Sequence, residues 1–222
     1  MRTLIIYLLL LNTIYSQQDR TTMGVSLQTQ IGLDNTFSIN SEQMDLINQG
    51  LQKYEYQSNR DTLLFMDPLS GGMMNLNEGG KNYISYYPDV NNNVGTVVNY
   101  FCDFRLTSDQ LSGTHVEIGG FYYMDEMLTP VLAAADGIVA YAVDGQFDRW
   151  QFGDNSQNAN SNVVSIIHSG GYYTTYFSLK KNSIVVMEGD TVQAGDTIGF
   201  PGSSYQLSQR PHLFFEVGNV LN

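Results

Sequence analysis

From Leu63 onward the sequence is cut into short β-prone runs by clusters of Gly, Asn, Asp and Pro. That punctuation constrains the fold more than any other feature, because a run of a few residues can complete a strand but not a stable helix. The runs are easiest to see after residue 129. Pro130–Ala134 and Gly137–Val143 flank an Asp136-Gly137 turn and predict one hairpin. Val163–His168 and Tyr172–Leu179 flank Ser169-Gly170-Gly171 and predict a second. Glu188-Gly189-Asp190-Thr191-Val192 and Ala194-Gly195-Asp196-Thr197-Ile198 repeat a Gly-Asp turn followed by a β-branched residue. His212–Val217 reads as a final strand. The expected fold class is all-β, with any functional groups carried on strand faces and loops.

The first 62 residues have another texture. Arg2 followed by the apolar run Leu4–Leu11, with Ser16 before a cut, reads as a secretory signal over 1–16. The run is too short to span a bilayer, which takes about 20 residues, and no later stretch could span. Residues 17–62 form a polar, Gln/Asn-rich lead-in. Within it Ser41 is a plausible N-cap, and Met44, Ile47 and Leu51 recur at helical spacing. The β domain is expected over 63–222. The mature protein is expected outside the cytoplasm, secreted or periplasmic.

Charge narrows the partners. The chain carries 22 acidic against 10 basic side chains, a formal charge of −12. It therefore lacks the basic footprint that nucleic acids and anionic membrane surfaces select. The single cysteine, Cys102, excludes an intramolecular disulfide framework and a Cys-rich metal site. Its expected place is buried beside aromatics. The aromatic group Phe121-Tyr122-Tyr123, Tyr172-Tyr173, Tyr176-Phe177 and Phe214-Phe215 reads chiefly as core, filled by alternate residues of each strand.

Read in order, several segments resemble the M23 (lysostaphin/LytM-type) zinc endopeptidases, above all the secreted versions of Bacteroidetes-like bacteria. They are Val131–Val139, Asp144–Arg149, Val163–His168, Tyr176–Leu179, Gly189–Gly199, Gly202–Ser204 and Pro211–Val217, with Gly113-Thr-His115 upstream. The resemblance covers about residues 63–218. It implies a largely antiparallel sheet flooring a groove, preceded by the short, partly helical N-terminal segment. The family cuts peptide cross-bridges of bacterial cell walls. Its zinc is held by the His and Asp of His-x-x-x-Asp and by the second His of His-x-His, leaving one position open to water. The first His of His-x-His, and another in Tyr-x-His-Leu, assist catalysis.

This chain departs from that pattern. His115 stands at the first ligand position, but Gly119 replaces the Asp and Phe214 replaces the second ligand His. His212 keeps the first place of His-x-His, and Ser178 stands where the other catalytic His belongs. One imidazole cannot hold catalytic zinc, so no cofactor is expected unless the site is rebuilt. Glu117 and Glu216 would share strand faces with His115 and His212 and are the substitute ligands for such a zinc site. A Ser178–His212 dyad is a further arrangement, with no third group signalled. Tyr122, Tyr123 and Tyr176 are candidates for groove binding, and the rings are otherwise core. His168 reads as a hydrogen-bonded strand-end residue. Cys102 falls where the similar enzymes carry a half-cystine whose partner would follow Arg149; here Trp150 follows.

The function expected is an exported, catalytically inactive M23-like domain that binds peptidoglycan peptide or an envelope protein, as degenerate LytM-like activators of wall amidases do. The rivals are an active zinc endopeptidase with substituted ligands and a purely structural interaction module. The Gly-Asp repeats also suggest lipoyl or biotinyl carriers, but Lys180-Lys181 does not fit their attachment hairpin.

Overall fold

The computed structural model describes residues 41–54, 63–70, 82–91, 93–99, 101–103, 106–149, 160–204 and 210–220. The signal segment, and Trp150 after Arg149, lie outside the described residues.

Helix α1 spans Ser41–Tyr54, with Glu42 in its first turn and Lys53 in its last, each complementing the helix dipole. The strands are β1 (Tyr83–Tyr86), β2 (Thr114–Glu117), β3 (Val131–Leu132), β4 (Gly137–Val143), β5 (Val163–Ile167), β6 (Tyr172–Phe177), β7 (Thr191–Val192), β8 (Thr197–Gly199) and β9 (His212–Asn219). A short helix α2, Phe121–Asp125, follows β2. Seven strands form one sheet in the order β1-β2-β9-β6-β5-β4-β7, and every pairing is antiparallel. β3 and β8 pair separately, and Leu69 bridges to Val131 on the other side.

Both faces of the large sheet are covered. That is why β5, Val-Val-Ser-Ile-Ile, is buried at every residue rather than at alternate ones. Side chains alternate along β9, so Leu213, Phe215 and Val217 join the core against β3, β8 and Met124. Phe214 faces the other way. It joins Ala140, Val163, Ile167, Tyr173 and Phe177 in a second cluster that includes Ile47 of α1. The helix expected within the lead-in is thus packed into the domain.

The Ser169-Gly170-Gly171 hairpin forms as expected between β5 and β6, with Gly170 at φ 70° and Gly171 at φ 74°. The left-handed region costs a side-chain-bearing residue energy that glycine does not pay. The hairpin expected at Asp136-Gly137 does not form. β3 pairs with β8, whereas β4 pairs with β5 and β7. The Gly-Asp turns supply the reason. Ala133 donates to Asp196 O at 2.8 Å and accepts from Gly195 N at 2.9 Å, while Val139 donates to Asp190 O and accepts from Gly189 N, both at 2.9 Å. Each turn captures one side of the Asp136 corner, so the two strands leave in different layers.

Candidate functional site

β2 and β9 lie side by side with His115 opposite Phe214 and Glu117 opposite His212. Strand alternation sends these four side chains to the α1 face of the sheet. The His115 and His212 rings stack with centroids 5.1 Å apart and planes 19° from parallel. Phe214 stands 4.7 Å from His115 and 5.6 Å from Phe177, and it is fully buried. Tyr86 of the edge strand packs edge-on against His115 at 5.6 Å.

His212 has defined partners on both nitrogens. Nδ1–H donates to Arg210 O at 2.9 Å, which leaves Nε2 to accept from the Ser178 hydroxyl at 3.2 Å. Burial holds the His212 pKa below its ordinary value, against the opposing pull of the Arg210 carbonyl and the Glu117 charge. Burial, and then the neighbouring His212, push His115 further down. Both imidazoles are therefore neutral at pH 7. Ser178 follows β6 at φ 63°, is wholly buried, and has its own N–H bonded to Ser161 Oγ at 2.8 Å. The arrangement has the base and tautomer of a Ser–His dyad. Its hydroxyl, however, is sealed from any substrate.

The substitute ligands are not assembled. Glu117 accepts from the Tyr83 hydroxyl and lies 3.6 Å from the exposed Arg210 guanidinium. Its carboxylate pushes the Tyr83 phenol pKa up, with burial adding to the effect. Glu216 is buried one row along the sheet, opposite Thr175 rather than His115. Among the described residues no group of three or more His, Cys, Asp or Glu is placed to hold a metal.

Gly119 and Phe214 are also closed as ligand positions. A Cβ built on Gly119 would run into the ring of Tyr123. A Cβ on Gly113 would lie 2.7 Å from the Phe214 ring and 2.6 Å from Phe215 O. The Phe214 ring thus takes up space beside His115, and the Tyr123 ring takes up space at Gly119. A family zinc would need the Asp and the second His at these two positions, so the residues present do not fit it.

The three groove tyrosines separate. Tyr122 is 67% exposed, and Tyr123 is half-buried over Gly119. Tyr176 is a correction. It is buried on the opposite face, where its hydroxyl accepts from Ala134 N at 2.8 Å, so it cannot line a groove. Cys102 is a second correction, since it is exposed on a turn at φ 60° rather than buried. His168 is the hydrogen-bonded strand-end residue expected, with Nδ1 2.9 Å from Asp136 O and Nε2 2.7 Å from Thr174 Oγ1.

Sequence reasoning missed Tyr83, Tyr86 and Arg210 at the rim. It also missed a polar row on the same sheet face. Tyr141, Ser165, Thr175 and Glu216 lie in register across β4, β5, β6 and β9, all buried. Ser165 and Thr175 share a 2.5 Å hydroxyl contact. Alternation within each strand was the available signal, but it needed the strand pairing to align.

Residues 119–221 match the profile of peptidase family M23. That stretch of the chain is similar to that family. Comparison with curated proteins finds no match. Among solved structures, the catalytic domain of lysostaphin from Staphylococcus simulans is 22% identical, with a TM-score of 0.35, over 62% of this chain and 78% of that one. A zinc-containing peptidase from Vibrio cholerae is 26% identical at a TM-score of 0.35, over 52% of this chain and 28% of that one. SpoIIQ in complex with SpoIIIAH gives 17% identity and a TM-score of 0.43, over 64% of this chain and 87% of that one. The mainly antiparallel sheet described above matches the M23 fold. Among the described residues no helix is long and apolar enough to cross a membrane.

Proposed function

We propose that this M23 domain works outside the cytoplasm as a binding module that does not cleave. Its ligand is an extended peptide of the bacterial wall, or a protein segment of the envelope presenting similar chemistry. The observation that carries the reading is Phe214, buried at 0% exposure against His115 where the family places a zinc ligand. An apolar ring donates no lone pair, and a zinc with fewer than three protein ligands generates no nucleophile of useful affinity. The groove rim keeps recognition chemistry. Tyr86 and Tyr122 are exposed, and the Tyr83–Glu117–Arg210 group offers both a carboxylate and a guanidinium. Tyrosine supplies contact area and a polar handle together.

The test joins metal content to binding. The purified protein, dialysed into metal-free buffer and then offered zinc, is expected to hold none by elemental mass spectrometry. It is expected to sediment with purified wall sacculi equally with and without chelator. About one zinc per chain, with chelator-sensitive cleavage of stem or glycyl peptides, would overturn the reading in favour of an active peptidase. Absence of both zinc and binding would leave a purely structural module.

A further inference from the structure

The large sheet has two edges. One, β7, is two residues long and follows a turn that bonds back to Val139 of β4. The other is β1, and among the described residues no strand pairs with its outer side. Natural sheets blunt such an edge with charge, proline or a bulge. Tyr83-Ile84-Ser85-Tyr86 carries no charge and no proline, and it shifts register once, around Ser85. Ile84 packs against the core, while Tyr83 and Tyr86 stand on the face of Glu117 and His115. What β1 turns outward is therefore its main chain.

This edge runs into an apolar cluster. Just past it, Tyr87 N donates to Leu106 O at 2.7 Å, and the Tyr87 ring meets Phe101 edge-on at 5.4 Å. Phe101 is 62% exposed and Leu106 50%. Leu106 is also held at φ 54°, in the left-handed region where a side chain costs energy and glycine does not. A leucine kept half in water at such a position serves neither burial nor backbone geometry, and outliers of this kind gather where a surface is used. Charge selects the occupant. Residues 82–111 carry three aspartates against one arginine, within a chain of formal charge −12. A basic strand is drawn to such a surface, whereas an acidic strand, or a second copy of this chain, is repelled.

We propose that the ligand is an extended, lysine- or arginine-bearing segment of a partner protein, which adds along β1 as a further strand and rests an apolar side chain on Phe101 and Leu106. The inference rests on the binding function above and narrows its ligand. Main-chain bonds to an open edge give affinity with little demand on sequence, and the apolar cluster and the charge set which segments fit.

The probe is a blocked peptide alternating lysine and valine, with a phenylalanine at one end, read by fluorescence anisotropy. It is expected to bind about tenfold more tightly than its glutamate counterpart, and equal binding would overturn the proposal. A strand offers one edge to its neighbour. Methylating one alternate set of the peptide's backbone amides is therefore expected to abolish binding, and methylating the other set to leave it intact. Equal loss from both sets would overturn strand addition. Leu106→Gly relieves the left-handed residue while removing the side chain. Its urea midpoint is expected to hold or rise while the peptide binds about tenfold more weakly. Unchanged affinity would overturn the proposal, as would a dimer in sedimentation equilibrium that Leu106→Gly dissolves, which would give the edge to a second copy. Should wall sacculi pellet the wild type and Leu106→Gly alike while no basic peptide binds, the edge proposal fails and the binding function stands. Should neither probe bind, the binding function fails with it.

Discussion

Phe214 and His115 face each other directly across β9 and β2, with ring centroids 4.7 Å apart. The two rings form a packing pair, with Phe177 on the other side of Phe214. Phe214→Ala should therefore behave as a core truncation and cost about 3–5 kcal/mol, read as a lowered midpoint in urea. Phe214→His should cost a similar amount and still bind zinc poorly. It restores one ligand without the carboxylate missing at Gly119. Zinc titration with a competing chelator checks the second part.

Gly119→Asp tests the other closed position. The new side chain meets the Tyr123 ring, and overpacking of this kind costs about 1–3 kcal/mol. In a Tyr123→Ala background the same change should cost close to nothing. A double-mutant cycle then returns a coupling of about 1–3 kcal/mol, whereas additive effects would mean that Tyr123 does not fill the space beside Gly119.

His168 sets a pH dependence. Its ring is buried, and burial lowers its pKa from 6.5 to about 4, against the opposing pull of the Asp136 carbonyl. The folded protein therefore resists a proton that the unfolded chain accepts. Stability from this group is complete above pH 6.5 and is lost as pH falls from 6.5 toward 4, by about 3 kcal/mol in all. Unfolding midpoints across that window should show the slope, and His168→Asn should flatten it while lowering stability at neutral pH through loss of the Thr174 contact.

Asn162 is a buried hub whose weight the sequence hides. Its Oδ1 accepts from Gln146 N at 2.7 Å, and its Nδ2 donates to Gln146 O at 3.1 Å and Leu179 O at 3.0 Å. Asn162→Ala strands three backbone groups and should cost about 3 kcal/mol. Asn162→Asp keeps the acceptor but buries a charge and should fare no better. Thermal melts of both variants decide the point.

Much of the architecture was legible because it is written locally. The Ser169-Gly170-Gly171 turn, the valine and isoleucine runs of β5, and the spacing of Met44, Ile47 and Leu51 each point to one local structure. Gly119, Ser178 and Phe214 were read as departures from the family pattern in the same way, residue by residue. What stayed hidden depends on pairing across distance. Ala133 and Val139 look like two arms of a hairpin until the Gly-Asp turns some fifty to sixty positions later are seen to hold them apart. Tyr176 looks like a groove residue until strand parity places its hydroxyl on Ala134. The polar row exists only once four separate strands are set in register.

The position of β9 has a consequence for how the molecule comes to exist. The pair β1–β2 and the block β6-β5-β4-β7 touch neither side of one another in the sheet; each is bonded to β9, at Thr114–Glu117 on one flank and Tyr172–Phe177 on the other. A chain emerging from its N-terminus can assemble two separate pieces of sheet, but it cannot join them until His212–Asn219 arrives. Closure is therefore late and long-range, which slows folding. Such a polypeptide stays in two separate pieces of sheet until β9 has been made.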